Sequence, residues 1–491
     1  MTTLDNRLTD PSPAGTRDTG PGPLPLAVLL SGTFLIVLDF FIVNVALPSV
    51  QTDLGAGDTT LAWLVAGYGL TFGGLLLLAG RLGDRWGRRR LFRAGVGLFV
   101  LASAACGLAP SASVLLEARL VQGAAAAAVS TSVLALIGDV YAGPLRLRAL
   151  GTYSTVMGVA AASGQLVGGV LIHADVAGLG WRTIFLVNVP IGLAAYLLAP
   201  RTLPDTRLGR DAHVDVLEVL LTTAALVALM LPLLEGPRLG WPAWTWASLG
   251  GSLALAALVG LRVRALQSRG RRPLVDVRPL RSRPVALGTV AQTTLFLGMA
   301  SYFLVLGLYL QQGRGLGPLG SGLVFSILAV SYMAGTRQAG RLVARFGRWA
   351  TVGGAAAFAL GHLGQLLAVE ETGVGGSVLW LAPGLAVAGA GMGVALAALV
   401  GTVMASVEPA DAGSVSGTFS TLQQLGNAIG VAVVGNVYFT LQDQGAAPAF
   451  GVSLVCLVAV VLGVAACGLG LPRAARPSAA TPVEVAEPCV P

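Results

Sequence analysis

The sequence predicts an all-α integral membrane protein with about fourteen helical spans, and three observations support this fold class. Of the 491 residues, 55% are hydrophobic and 11% are charged, which is too apolar for a soluble globular protein of this length. Apolar stretches of roughly 18 to 25 residues recur along the chain, and each can cross a ~30 Å hydrocarbon core as a helix. These stretches are apolar almost throughout, as at 26–47 and 453–471, and lack the alternation of membrane β-strands.

The predicted spans follow one another through most of the chain. They cover residues 26–48, 61–80, 92–109, 114–138, 150–172, 183–200, 215–234, 245–264, 285–310, 320–338, 350–368, 378–402, 414–439 and 449–471. Residues 1–25 and 472–491 are predicted to be disordered cytoplasmic tails. The first tail lacks the basic start and short apolar core of a cleavable signal peptide, so the first span is expected to direct insertion.

The placement of arginine predicts the orientation of the spans, because positively charged short loops stay in the cytoplasm. The chain has no lysine, and 27 of its 31 arginines fall in cytoplasmic segments if the N-terminus is cytoplasmic. Three arginines fall on the opposite side, and Arg119 lies within a span. We therefore expect a multi-pass plasma-membrane protein with an even number of spans and both termini in the cytoplasm. Since the arginines form no soluble basic face, no nucleic-acid partner is expected.

A short segment after the second predicted span recurs after the tenth. Gly80-Arg-Leu-Gly-Asp-Arg-Trp-Gly-Arg88 matches Gly340-Arg-Leu-Val-Ala-Arg-Phe-Gly-Arg348 at six of nine positions. Both copies lie on the same side in the same direction, as expected of a parallel internal repeat. Because the copies are eight spans apart, two six-helix bundles, 26–200 and 285–471, are predicted to flank two inserted helices and their linkers at 201–284.

Further motifs lie in order along nearly the whole chain. They are Leu38-Asp-Phe-Phe-Ile-Val-Asn-Val-Ala-Leu-Pro48, Trp63 with Tyr68, the loop 80–90, Arg119-Leu-Val-Gln-Gly123, Trp181-Arg-Thr-Ile-Phe-Leu-Val-Asn-Val-Pro-Ile-Gly192 and Gln423-Gln-Leu-Gly-Asn-Ala-Ile-Gly430. Together they resemble the major facilitator superfamily and, within it, the fourteen-span drug:proton antiporter (multidrug efflux) family. The resemblance implies two bundles that rock about a central cavity, so that the cavity opens alternately to each side of the membrane.

The fifth span departs from that family in one respect. Where the family pattern is Gly-Pro-x-x-Gly-Gly, this chain has Gly164-Gln-Leu-Val-Gly168-Gly169. The three glycines are expected to permit close helix packing. Gln165 replaces the proline and is a candidate to face the substrate path.

Asp39 is the first candidate for proton coupling. It lies about 13 residues into the first span, roughly 20 Å along the helix. A carboxylate at that depth costs ~2.5 to 3.5 kcal/mol on insertion scales, so it is expected to face a cavity and to be protonated easily. The resemblance gives this acid a role in proton and substrate coupling. The alternative is a hydrogen-bonded structural carboxylate.

Arg119 and Glu117 lie in the fourth span, two residues apart, and do not face each other on a helix. The resemblance implies that Arg119 relays protons with a nearby acid such as Asp39, although an interhelical structural ion pair is the alternative. Glu117 either shares in that coupling or is an interfacial residue in water.

The loop after the second span is expected to form a conformational latch on the cytoplasmic side. Its residues are Gly80, Gly83, Asp84, Arg85, Gly87 and Arg88, with Asp139 in the same network. The glycines allow a tight turn, and Asp84 is expected to pair with an arginine or a helix N-terminus of the other half. The alternative is that the arginines only enforce topology.

Polar and aromatic residues within spans are candidates to line the cavity. They are Asn44, Trp63, Tyr68, Gln122, Gln165, Asn188, Gln292, Tyr302, Gln423 and Asn427. Any one of them is more often a helix–helix contact than a ligand contact. A mostly apolar cavity with few fixed charges suits lipophilic cargo, cations among it, better than sugars or phosphates.

The predicted function is therefore proton-coupled efflux of small lipophilic drugs, antibiotics or secondary metabolites by a monomer whose partners are cargo, protons and lipid. Uptake or exchange of a metabolite or lipid is an alternative, and a non-transporting sensor or scaffold on the same fold is another. No metal-ligand cluster, nucleophile–base pair or P-loop motif is visible, so neither an enzyme nor a cofactor or metal site is expected.

Overall fold

The computed structural model describes residues 22–141, 143–205, 216–268, 282–407 and 412–471. Within these residues the elements are all helical, and thirteen helices are long and apolar enough to cross a membrane. A fourteenth, α5, passes the same test as one span bent by 44° between 151–161 and 163–174. The predicted all-helical membrane fold is confirmed. Most of both predicted disordered tails lies outside the described residues.

The first six spans form the N-terminal bundle. They are α1 (Pro23–Leu54), α2 (Asp58–Trp86), α3 (Arg88–Gly107), α4 (Ala112–Val140), α5 (Gly143–Ala174) and α6 (Gly180–Thr202). α6 begins as a 3₁₀ turn and continues through the helical segments Thr183–Leu186 and Asn188–Thr202.

Two inserted helices and the C-terminal bundle follow. The inserted pair is α7 (Val216–Leu239) and α8 (Ala243–Ser268). The C-terminal bundle consists of α9 (Arg283–Gly313), α10 (Pro318–Phe346), α11 (Trp349–Thr372), α12 (Val378–Met404), α13 (Ala412–Leu441) and α14 (Ala446–Leu469).

The repeated segment has the same local structure in both copies. Gly87 separates α2 from α3 with φ 96°, and Gly347 separates α10 from α11 with φ 57°. Glycine adopts positive φ without the steric penalty of a side chain, so the first copy ends one helix and starts the next within one residue, and the second copy does so within two. An arginine that follows then bonds the carbonyl end of the sixth helix of its bundle. Arg89 donates to Leu203 O at 3.0 Å, and Arg348 donates to Leu469 O at 2.7 Å.

The two bundles meet along two equivalent seams. α2 packs against α13, and α5 packs against α10, so the second helix of each bundle contacts the fifth helix of the other. Glycines bring the second seam close together. A Cβ atom at Gly169 would lie 2.5 Å from Pro318 O, and one at Gly322 would lie 2.8 Å from Gln165 O.

We call the side of the molecule that contains the turn between α1 and α2 the α1–α2 end. The opposite side, which contains the turn between α2 and α3, is the α2–α3 end. Hydrogen bonds join the bundles at the α1–α2 end. Gln311 Nε2 of α9 donates to Val45 O of α1 at 3.0 Å, and Gln312 Nε2 donates to Gln51 Oε1 at 2.7 Å. The bundles are therefore in close contact at this end.

The inserted pair lies against the α2–α13 seam. α7 packs on both α2 and α13, and α8 packs on α7. The Trp63 indole of α2 donates a hydrogen bond to Glu235 of α7 at 3.0 Å, and Met230 and Leu234 of α7 are buried. These contacts attach α7 to the seam, although only 22% of its apolar window is buried, against 17% for α8.

Candidate functional site

Four helices of the N-terminal bundle bring polar side chains together around Asp39. Asp39 lies on α1, Ser103 on α3, Arg119 and Gln122 on α4, and Asn188 on α6. All five side chains are fully buried. A cluster of this kind in an otherwise apolar bundle is the functional-site candidate of the described residues.

Both oxygens of the Asp39 carboxylate accept hydrogen bonds. Oδ2 is ion-paired with Arg119 Nη1. Oδ1 accepts from Gln122 Nε2 at 2.8 Å and from Asn188 Nδ2 at 2.9 Å. The carboxylate is therefore matched by one opposite charge and two amide donors, which is what a buried anion requires.

Arg119 is held by contacts on several sides. Its Nε donates to Leu64 O at 3.2 Å, and its Nη1 also donates to Gln122 Oε1 at 2.7 Å. The guanidinium lies 4.3 Å above the Tyr68 ring, whose hydroxyl donates to Ile36 O at 3.2 Å. Nη2 has no hydrogen-bond partner within the described part of the chain.

Ser103 completes the cluster from α3. Its hydroxyl accepts from Gln122 Nε2 at 2.8 Å and from Asn188 Nδ2 at 3.4 Å. Gly123, next to Gln122, lets α4 approach α2, since a Cβ atom there would lie 2.4 Å from Tyr68 O. Ser103 was not predicted from the sequence, because a serine in an apolar helix more often bonds its own backbone.

The structure thus brings together five of the predicted residues: Asp39, Arg119, Gln122, Tyr68 and Asn188. Glu117 lies apart from them on the exposed face of α4. Glu117 and Arg119 are two positions apart on α4, so their side chains point in different directions.

The predicted latch residues form contacts within one bundle. Arg88 Nη1 lies 2.7 Å from Asp139 Oδ1, and Arg88 Nη2 lies 3.4 Å from Asp84 Oδ1. Asp84 was expected to pair with the other half. In the conformation described, Asp84 instead pairs with Arg88 of its own bundle, four residues away across the Gly87 turn. Arg85 is exposed.

The glycines around this turn differ in their surroundings. Gly83 is close to Leu91, whose Cδ2 would lie 3.3 Å from an added Cβ atom. Gly80 has nothing within 4 Å of such an atom.

The remaining cavity candidates fall into two groups. Asn44 and Asn427 donate within their own helices, to Phe41 O at 3.2 Å and Gln424 Oε1 at 2.7 Å. Tyr302 donates to Gln365 Oε1 at 2.8 Å. These bonds lie inside one bundle, although the buried Oδ1 of Asn44 has no partner among the described residues.

Gln165, Gln292 and Gln423 differ from that group. Gln165 is buried on α5 at the seam with α10, and neither of its amide atoms has a partner among the described residues. Gln292 is buried with its Oε1 unpaired, and Gln423 is half-buried.

The expected packing glycines of α5 contact the neighbouring helices. A Cβ atom at Gly164 would lie 2.9 Å from Phe41 Cβ, and one at Gly168 would lie 2.7 Å from Ile42 Cγ1.

Comparison with known protein families identifies the chain. The sequence profile of the Major Facilitator Superfamily matches residues 29–431, from α1 into α13. The chain belongs to the Major Facilitator Superfamily. This family consists of membrane transporters and not of enzymes.

Curated relatives of this major facilitator protein are antibiotic and multidrug exporters. It is 36% identical over 439 residues to the "Probable actinorhodin transporter" of Streptomyces coelicolor, covering 88% of this chain and 75% of that protein. It is 34% identical to the "Cephamycin export protein CmcT" of Amycolatopsis lactamdurans, covering 94% and 95% of the two chains. It is 33% identical to the "Multidrug resistance protein Stp" of Mycobacterium tuberculosis, covering 83% and 74%.

Solved structures share the fold of this transporter. An auto-inhibited POT family peptide transporter superposes with a TM-score of 0.65 at 16% sequence identity, covering 91% of this chain and 96% of that one. At this identity the likeness concerns the fold alone.

Proposed function

We propose that this major facilitator protein exports small lipophilic antibiotics or secondary metabolites in exchange for protons. The observation that carries the proposal is the buried cluster of Asp39, Arg119, Gln122, Ser103 and Asn188. A buried acid whose charge can be removed by a proton is the kind of group that proton coupling requires. The names of the relatives, which are exporters and resistance proteins, support the direction and the class of cargo.

The distribution of arginine supports a cytoplasmic location for both termini and for the α2–α3 end. In that orientation the contacts of Gln311 and Gln312 with α1 close the outer side of the protein. The conformation described would then have its outer side shut. Rocking of the two bundles would separate α5 from α10 there and bring the cavity into contact with the outside.

The Asp39–Arg119 pair supplies the coupling step in this proposal. In the conformation described, the carboxylate is fully buried and ion-paired, so proton exchange requires the conformation in which the bundles have moved apart and water reaches α1. A proton from outside neutralises Asp39 and leaves Arg119 without its counter-charge, which lowers the affinity for cargo. Loss of that proton to the cytoplasm restores the pair.

Proteoliposomes test this function directly. The purified protein is reconstituted with a pH-sensitive dye inside, and a gradient of the lipophilic cation ethidium is imposed across the membrane. We expect ethidium movement to be accompanied by proton movement in the opposite direction, seen as an internal pH change that a protonophore dissipates. Ethidium movement with no proton flux would contradict proton coupling, and proton flux in the same direction as the ethidium would contradict antiport.

A further inference from the structure

A series of ring contacts crosses from the N-terminal bundle into the interior of the C-terminal bundle. Phe41 of α1 lies 5.1 Å from Phe303 of α9, measured between ring centroids. The ring of Tyr302 lies 6.3 Å from that of Phe303 and 4.5 Å from the imidazole of His362 on α11. The contact between Phe41 and Phe303 is the point at which the series passes from one half to the other. It must change when the bundles move relative to each other.

His362, at the inner end of this series, is a buried polar group that has no polar partner. Its side chain is fully buried, and neither imidazole nitrogen has a hydrogen-bond partner in the parts of the chain that are described. Its neighbours include the rings of Tyr302 and Phe358, each 4.5 Å away between centroids. A buried donor or acceptor without a partner destabilises the folded state, so such groups are rare and call for an explanation.

Two polar side chains of the same bundle interior, Tyr302 in ring contact with His362 and Gln365 three residues further along α11, already have partners of their own. The Tyr302 hydroxyl donates to Gln365 Oε1 at 2.8 Å, and Gln365 Nε2 donates to Gly361 O at 3.2 Å. These bonds fix the Tyr302 hydroxyl on Gln365. The two imidazole nitrogens therefore remain available to a molecule that enters from outside the bundle.

We propose that His362 is a cargo subsite that takes a hydroxyl or carbonyl group carried on an aromatic ring, a proposal that rests on the proposed transport function. An aromatic cargo ring enters between Phe41 and Phe303 as the bundles separate and lies against Tyr302. Breaking the hydrogen bond between Tyr302 and Gln365 then lets the Tyr302 ring turn aside, so that the polar edge of the cargo reaches the imidazole. A neutral imidazole offers one donor and one acceptor, which matches either an oxygen acceptor or a hydroxyl donor.

Equilibrium binding to purified protein in lipid nanodiscs tests this subsite without any proton gradient. The probes are 2-hydroxyanthracene and 2-methylanthracene, which carry no carbonyl group, are similar in size and differ in one hydrogen-bonding group. We expect the natural protein to bind the hydroxyl compound about tenfold more tightly, the size of one hydrogen bond. His362→Phe removes that preference and raises the unfolding temperature, because it removes two unpaired polar atoms.

Two further variants keep the test decisive. His362→Gln retains a donor and an acceptor and is expected to keep a preference for the hydroxyl compound. His173→Phe changes an exposed histidine at the end of α5 and is expected to leave the preference unchanged.

The proposal is overturned if the natural protein does not discriminate between the two compounds, or if His362→Phe discriminates as well as the natural protein does. The binding measurement uses no proton gradient. Its result can therefore be interpreted even if the proteoliposome experiment shows no proton coupling.

Discussion

At the scale of single residues, the environment of Asp39 explains how a charge is tolerated inside an apolar bundle. The carboxylate has one full counter-charge and two amide donors, supplied by α4 and α6. Breaking a buried ion pair by removing one partner costs about 3–5 kcal/mol, whereas replacing both partners is much less harmful. Stability and function can therefore be separated by changing the two charges singly and together.

Removal of Arg119 alone is expected to destabilise the protein more than removal of both charges. Arg119→Gln leaves the Asp39 carboxylate buried without a counter-charge, and we expect a loss of about 3–5 kcal/mol of unfolding free energy. In the double variant Asp39→Asn with Arg119→Gln most of that loss is recovered, because no unpaired charge remains. Denaturant unfolding in detergent measures the unfolding free energy of the single and the double variant. Equal destabilisation of the single and double variants would show that the charges are not coupled.

At the scale of elements, α5 is the helix whose surface decides how the bundles meet. Gly164 and Gly168 face α1, whereas Gly169 faces the backbone of α10. The side chain of Gln165 lies buried at this seam with no partner for its amide among the described residues. The seam is thus close-packed yet carries an unsatisfied polar group. In the proposed cycle this seam opens, and water or cargo then supplies the hydrogen bonds that Gln165 lacks here.

A side chain at position 169 is expected to force this seam apart. In Gly169→Val the Cβ atom would lie 2.5 Å from Pro318 O, which is backbone and cannot rotate away. We expect the conformation closed at the α1–α2 end to be depopulated. Spin labels at positions 51 and 312, whose side chains are joined by a 2.7 Å hydrogen bond, would report a longer distance. Gly151→Val is the control, since nothing lies within 4 Å of a Cβ atom there. An unchanged distance in Gly169→Val would contradict this role of the seam.

The sequence predicted the elements well and their contacts less well. A charge within an apolar span is a strong signal, so Asp39 and Arg119 were found, whereas Ser103 resembles many serines that bond their own helix. Predicted span lengths were shorter than the helices, because polar residues continue a helix beyond the hydrocarbon core. α2 was predicted at 61–80 and runs over Asp58–Trp86. Asp84 pairs with Arg88 at an i,i+4 spacing that is visible in the sequence, whereas the sequence analysis placed its partner in the other half.

At the scale of the whole molecule, the internal repeat accounts for the arrangement of the helices. The matching segments at Gly80 and Gly340 begin equivalent turns in two bundles, and equivalent helices of those bundles form the two seams. The bundles are alike in backbone and different in chemistry. The interior of the N-terminal bundle contains the Asp39–Arg119 ion pair. The equivalent interior of the C-terminal bundle contains Tyr302, His362 and Gln365, and none of these three is ion-paired within the described residues. In the proposed cycle, proton binding belongs to the first bundle, and recognition of the polar part of the cargo belongs to the second.

The central claim is that Asp39 couples cargo movement to protons, and Asp39→Asn measures it most directly. Asparagine can still accept from Gln122 and Asn188 and does not titrate. Because Arg119 loses its counter-charge, we expect a stability loss of about 3–5 kcal/mol, and the downhill exchange described next checks that the variant still folds. In proteoliposomes we expect Asp39→Asn to exchange labelled ethidium for unlabelled ethidium down a cargo gradient. We expect the variant to lose at least tenfold of the ethidium accumulation that a proton gradient drives. Glu117→Gln, on the exposed face of α4, is the control and should be unaffected. Proton-driven accumulation of ethidium by Asp39→Asn at the rate of the natural protein would contradict the account.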